Sequence, residues 1–315
     1  MGKSALSGRG GPSDGSDTFV LADGTVIAVQ VSGPAQSGPA QSRTTVVLHH
    51  GWTQDHTSWE DVARILAADL RVITYDARGH GRSNAGPRGS DTIEQLADDL
   101  AQVINELVPE GPVVLAGHSL GGPVLMALAE RHPDLFATRV AGAALVATSA
   151  SGIGRGILGL PAAVVNPFLL VAPGMFHIRG LSRARMNTRF PAVIAQAVRV
   201  GGLYAPGHST AHNRRRTALQ VARSHPATTA ALARAMIRHD RLGALRGFAA
   251  VPTIVLAGTH DVLTPIAHSR ALAAALPSAR FVVYPGAGHM LPYERAGEIA
   301  AEIAALLLAQ DSATG

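Results

Sequence analysis

Short runs of uninterrupted apolar residues alternate along this chain with longer stretches whose apolar positions recur at helical spacing. Residues 18–33 differ: they alternate apolar and polar on either side of Asp23-Gly24, a dipeptide suited to a tight turn, and so predict a two-stranded hairpin. From Thr44 onward the order is strand then helix. Residues 44–48 are a β-branched apolar run, and Trp59, Val62, Ile65 and Leu66 mark one face of a helix over 57–70. The alternation continues with strands at 72–75, 113–115 and 140–146 and helices over 92–107 and 119–131. Fully apolar strands separated by helices imply a mostly parallel central sheet covered on both faces, the α/β class.

Between 151 and 247 no strand is predicted, and segments of helical character are interrupted by Pro, Gly and Asn. Strands then return at 253–256 and 280–284, with helices over 267–276 and 293–308. The expected organisation is a Gly/Ser-rich disordered leader over 1–17, a core assembled from 18–150 and 248–315, and a helical cap inserted over 151–247.

Composition narrows this picture. A chain of 315 residues, 47% hydrophobic and 16% charged, is globular and large enough for a substantial core. With no cysteine, disulfides, thiolate metal sites and a cysteine nucleophile are excluded. The leader lacks the apolar core of a secretory signal, and the most apolar stretch, 158–172, is broken by Pro161, Asn166 and Pro167. It falls short of the roughly 20 residues a spanning helix requires. A cytoplasmic chain without a transmembrane helix is expected.

Charge is unevenly distributed. The insertion holds fourteen arginines, no lysine and no glutamate against a single acid, Asp240, while the whole chain sums only to +5. A basic cap on an acidic body suggests contact with an anionic membrane surface or anionic substrates, led by Arg214-Arg215-Arg216. Apolar residues 157–160 and 164–171 would then meet acyl chains. The alternative is that the arginines pair with acids of the body. Nucleic acid is not an expected partner, because only 4% of residues are aromatic and the arginine cluster has no stacking platform.

The chemistry centres on Gly117-His118-Ser119-Leu120-Gly121, which follows one predicted strand and opens a helix. That context turns G-x-S-x-G from a common turn into a device for displaying a serine, and the helix N-terminus directs amide donors at charge forming beside it. A serine hydroxyl needs a base, and the base needs a carboxylate to hold its tautomer. Both follow downstream strands: Asp261 ends Leu256-Ala257-Gly258-Thr259-His260-Asp261, and His289 ends Tyr284-Pro285-Gly286-Ala287-Gly288-His289. His49 and His50 look like a metal pair but lack further ligands at suitable spacing, and are expected to shape their loop instead. His118 and His260 are assigned no catalytic part.

Four motifs together resemble the α/β-hydrolase fold over nearly all of residues 18–310. They are His50-Gly51-Trp52, Asp76-x-Arg78-Gly79-x-Gly81-x-Ser83, Gly117-His118-Ser119-Leu120-Gly121-Gly122, and the loops bearing Asp261 and His289. The resemblance implies Ser119 as nucleophile, His289 as general base and then acid, Asp261 as the orienting carboxylate, and the backbone amides of Trp52 and Leu120 as the oxyanion hole. Asp76 and Arg78 it implies to be structural. No metal or organic cofactor is implied. Serine at 119 disfavours epoxide hydrolases and haloalkane dehalogenases of this fold, which attack with a carboxylate. The implied function is cleavage of a carboxylic ester, including acyl lipids. Alternatives at the same triad are thioester hydrolysis, carbon-carbon bond hydrolysis and cofactor-free haloperoxidase or perhydrolase chemistry. A non-catalytic binding protein on the same scaffold is the rival from another class.

Overall fold

A computed structural model describes residues 17–35, 44–151 and 202–311, with the side chains of 308–311 excepted. The hairpin predicted around Asp23-Gly24 forms β1 (Asp17–Val20) and β2 (Val26–Ser32), so the residue expected to end the leader instead opens the first strand. The remaining strands are β3 (Thr45–His49), β4 (Arg71–Tyr75), β5 (Val113–His118), β6 (Val140–Val146), β7 (Thr253–Gly258) and β8 (Arg280–Tyr284). They form one eight-stranded sheet in the order β1-β2-β4-β3-β5-β6-β7-β8. β2 runs antiparallel to both neighbours, and all pairs from β4 through β8 are parallel.

The sheet is covered on both faces, and the period-2 alternation of the strands shows why. In β5, Val113 and Leu115 join one buried cluster with Ile93, Leu96, Leu100 and Ile104 of α2 (Ile93–Leu107). Val114 and Ala116 join the other, with Val62 and Leu66 of α1 (Glu60–Leu66) and Ile299 and Ile303 of the last helix. Each fully buried aliphatic side chain contributes roughly 1.5–3 kcal/mol, so the two faces together fix the strand register. α3 (Gly121–Arg131), directly after β5, is buried along most of its length.

Three local readings change. The helix expected over 57–70 is a single 3-10 turn, His56–Trp59, capped by the Asp55 carboxylate, followed by an α1 that ends at Leu66. A short α4 (Pro133–Arg139) precedes β6; its Pro133 at the first turn is the signal that marks it. The C-terminal helix is divided into α8 (Leu291–Glu294) and α9 (Ala296–Asp311).

Of the insertion, 202–247 is described and contributes α5 (Ala211–Arg223) and α6 (Pro226–Arg238); a 3-10 turn over Gly243–Phe248 leads back to the core. The apolar residues 157–160 and 164–171 and most of the leader lie outside the described residues. The insertion closes at its base, where Ser151 pairs with Asp240 and the Arg241 N–H donates to the Ala150 carbonyl at 2.7 Å. Between it and β7's partner β8 runs α7 (Ile266–Ala275). Among the described residues no helix is long and apolar enough to cross a membrane.

Candidate active site

After β3 the chain crosses to β4 on one side, and from β5 it proceeds through β6, β7 and β8 on the other, so the order reverses between β3 and β5. Such a switch point opens a crevice at the carboxyl ends of the strands. Ser119 follows β5 there, Asp261 follows β7 and His289 follows β8.

Ser119 has φ +53°, in the left-handed region. Its N–H donates to the Val146 carbonyl at 3.0 Å, and its carbonyl accepts from Gly122 N–H at 3.0 Å and the Thr148 hydroxyl at 2.7 Å. These bonds hold a backbone geometry that costs about 1–3 kcal/mol. The neighbouring glycines have a different purpose from relieving that turn: neither Gly117 nor Gly121 is at positive φ. A Cβ on Gly117 would lie 2.5 Å from the Gly121 carbonyl carbon, and one on Gly121 would lie 2.6 Å from the His49 carbonyl oxygen. Glycine lets β3, β5 and the start of α3 approach each other, while the strained dihedral belongs to the serine. Thr53 (φ +61°) and Ala147 (φ +46°), the other non-glycine residues at positive φ among those described, lie in the loops after β3 and β6. All three therefore gather at the same end of the sheet.

The three sequence-predicted side chains meet. His289 Nε2 lies 3.0 Å from Ser119 Oγ, and His289 Nδ1 lies 2.9 Å from Asp261 Oδ2. Asp261 Oδ1 also accepts from the backbone N–H groups of Leu263 and Thr264 at 2.9 and 2.8 Å, and Oδ2 from the Thr264 hydroxyl at 2.7 Å. A carboxylate so fixed accepts the Nδ1 proton of His289, which leaves Nε2 with its lone pair toward the serine hydroxyl. The arrangement can take a proton from Ser119 and return it to a departing group.

Support from residues the sequence left unassigned is extensive. His118, fully buried, donates from Nε2 to the His289 carbonyl at 2.9 Å, and the two rings lie 5.0 Å apart. Burial first, then the nearby His289, pushes the His118 pKa down to about 3. The neutral ring gives its one N–H to the His289 carbonyl, and its Nδ1 lies 3.1 Å from Gln54 Oε1. Glu294 Oε2 accepts from Gly288 N–H at 2.8 Å, and the Leu203 carbonyl accepts from His289 N–H at 3.0 Å. Thr264, three residues beyond Asp261, has the spacing of a local side-chain turn and was findable on that ground. His118 acts across the fold, while Glu294 reaches back six residues to Gly288, and no motif in the sequence marks either pairing. His260, exposed, bonds through its backbone N–H to Ala287.

Trp52 and Leu120 line the same cavity as Ser119. Leu120 N–H stands at the open N-terminal end of α3 and donates to no described residue. Trp52 belongs to the loop shaped by His50, whose Nδ1–H donates to the Gly51 carbonyl at 2.8 Å and whose Nε2 accepts from Ala77 N–H at 2.9 Å. Both His50 nitrogens are thereby engaged in positioning the loop. Asp55, His56 and Asp76 bring ligand atoms within 4.8 Å of one another, yet those atoms already serve as partners. Asp76 accepts from His56 N–H and Nδ1–H and from Arg82 N–H, and Asp55 accepts from Thr57. Arg78 is buried and forks onto Asp99 at 2.6 Å through two nitrogens, with Asp23 at 2.8 Å on a third contact. Asp76 and Arg78 thus fasten loops and do not reach the serine.

The insertion supplies the opposite wall of the cavity through Leu203, Val221, Met236 and His239. Its arginines divide. Arg216 leaves the expected Arg214-Arg215-Arg216 cluster to pair with Glu60 at 2.8 Å and Asp61 at 3.1 Å, and stacks over Tyr293 at 4.6 Å. Arg241 pairs with Glu94 and Glu130 of the body. Arg215, Arg238 and Arg246 are exposed.

A family model described as the alpha/beta hydrolase fold matches residues 44–296. A RutD protein of Caulobacter sp. (strain K31), named as a candidate carbamate hydrolase, is 29% identical over 261 residues, covering 80% of this chain and 86% of that protein. A thermophilic esterase from Thermogutta terrifontis superimposes with a TM-score of 0.69 at 27% identity, over 93% of this chain and 97% of the other. The esterase RhEst1 from Rhodococcus sp. ECU1013 gives a TM-score of 0.71, also at 27% identity, over 93% and 98%.

Proposed function

The chain belongs to the alpha/beta hydrolase fold family, and from that premise we propose that it is a serine hydrolase cleaving a carboxylic ester through an acyl-enzyme on Ser119. The observation that carries this reading is the continuous hydrogen-bonded chain from Ser119 Oγ through His289 to Asp261, opening on a cavity. His289 Nε2 removes the hydroxyl proton as Ser119 Oγ attacks the ester carbonyl. The tetrahedral oxyanion turns toward the Leu120 and Trp52 amides, each such donor being worth about 10²–10³ in rate. The imidazolium then gives its proton to the leaving alcohol, and the acyl group stays on Ser119. Water activated by the same imidazole releases the acid. Asp261 holds the tautomer throughout.

The insertion acts in this scheme as a cap that shapes the acyl and alcohol subsites. The same steps serve a thioester or a carbamate, since each passes through an oxyanion at the same place; the resemblance to a RutD protein keeps carbamates among the compounds to assay. A non-catalytic binding role is disfavoured by the aligned side chains. The test is hydrolysis of 4-nitrophenyl esters of short and long acids by the wild type and Ser119→Ala. A loss of at least about 10⁴-fold in kcat is expected, and an unchanged rate would contradict the mechanism.

A further inference from the structure

One imidazole on the cavity wall is not absorbed by this scheme. His239 follows α6, its Nδ1 is buried, and that nitrogen has no hydrogen-bond partner among the described residues. Every other polar side chain lining the cavity, apart from the reacting Ser119 and His289, already has one. Thr53 bonds to the Trp52 carbonyl, Gln54 to Gly51 N–H, Thr148 to the Ser119 carbonyl, Ser149 to the Ser151 carbonyl, Thr217 to the Tyr204 hydroxyl and Thr264 to Asp261. The same cavity is also lined by the apolar side chains of Met236, Leu263 and Leu203. A buried polar atom without a partner costs about 1–3 kcal/mol, a cost relieved when a ligand supplies the missing bond.

We infer that His239 is a specificity-determining residue that hydrogen-bonds a polar substituent of the substrate, so that the preferred esters carry a hydroxyl, carbonyl or amide group away from the scissile bond and are not plain alkyl esters. This rests on the ester-hydrolase reading above. Burial first, then Arg241 and His268, push the His239 pKa down to about 4, against the opposing effect of Asp240. The ring is therefore neutral near pH 7, with one nitrogen to donate and one to accept, and it suits an uncharged polar group of either sense. A plain hydrocarbon placed against it would leave Nδ1 unpaired, and this is how a site discriminates against an analogue lacking the group.

The experiment compares two matched pairs: 4-nitrophenyl butyrate with 4-nitrophenyl 3-hydroxybutyrate for the acyl side, and propyl butyrate with glycerol monobutyrate for the alcohol side. The wild type should favour the hydroxylated member of at least one pair by about tenfold in kcat/KM, the size of one net hydrogen bond. His239→Leu should bring that ratio close to one whatever happens to the absolute rates, and His239→Gln should keep part of it. In the Ser119→Ala protein, titration with the favoured ester should move the His239 ring ¹⁵N resonances. A ratio near one in the wild type for both pairs, or one that survives His239→Leu, overturns the inference. Absence of turnover on all four esters overturns the ester reading instead; Ser119→Ala is then titrated with each of the two hydroxylated esters, and His239 resonances unmoved by both overturn the inference as well.

Discussion

Two walls of one cavity are built by different means. Around Ser119 the backbone itself is tied down, with Val146, Gly122 and Thr148 bonded to the serine's own peptide groups and the positive-φ residues 53, 119 and 147 gathered at one end of the sheet. The facing wall, from 202–247, is joined to the body partly by isolated buried bonds, such as Trp52 Nε1–H to the Thr229 carbonyl and His289 N–H to the Leu203 carbonyl, and partly by long side chains whose acidic partners are half open to water: Glu60 is 65% exposed and Glu94 49%. Backbone bonds buried at strand ends fix a geometry within a narrow range, which proton transfer at 3 Å requires. Partly exposed ion pairs fix position more weakly. On the proposed function, the chemistry sits on the wall tied down at its own backbone, the rigid one, and substrate recognition on the facing wall, the more adjustable one.

The largest predicted effect tests the rigid wall. Asp261→Asn can no longer accept the Nδ1 proton in the same way, so kcat should fall about 10⁴-fold with KM changed little. Retention of most of kcat would show that the carboxylate does not orient His289.

Next is His118, whose hydrogen bond to His289 goes to the backbone carbonyl and not to the reacting ring. His118→Phe keeps a ring and removes the donor; kcat should drop roughly 10- to 100-fold while KM moves less than about twofold, consistent with a group that acts on position. A KM change of the same size as the kcat change would instead place its effect on binding. The same residue predicts an acid response. Its folded pKa of about 3 lies below the ordinary value of 6.5, so the unfolded chain takes up the proton first. Stability is complete above 6.5 and declines as pH falls toward 3. At pH 5 the wild type should have lost about 2 kcal/mol relative to pH 7.5 on this group's account. Chemical unfolding at the two pH values should show a smaller loss in His118→Phe.

The smallest effect tests the adjustable wall. Arg241→Ala removes the pairs to Glu94 and Glu130 and should cost only about 1 kcal/mol, or roughly 2 °C in Tm. It should nonetheless change the ratio of long-chain to short-chain ester hydrolysis more than it changes kcat on the shortest ester. Equal changes on all esters would erase the division between the two walls.

What was legible in the sequence follows the same division. The apolar runs at 72–75, 113–115 and 140–146 correspond to β4, β5 and β6 because a strand buried on both faces has no polar position to confuse its pattern. Ser119, Asp261 and His289 were findable because each follows a predicted strand within a few residues. The helix over 57–70 was overextended because its apolar spacing continues into residues whose backbone turns toward β4. The glycines of the serine turn were legible as a motif but not in their purpose, since close approach to His49 is a tertiary fact. Likewise, the arginine excess was plain, whereas the inward turn of Arg216 and Arg241 depends on acids more than a hundred residues away.

The most direct measurement of the central claim is covalent capture at the serine. The wild type incubated with a fluorophosphonate and digested for mass spectrometry should carry one adduct, on Ser119, and Ser119→Ala and His289→Ala should carry none at the same exposure. An adduct on another residue, or equal labelling of Ser119→Ala, would contradict the assignment of Ser119 as an activated nucleophile.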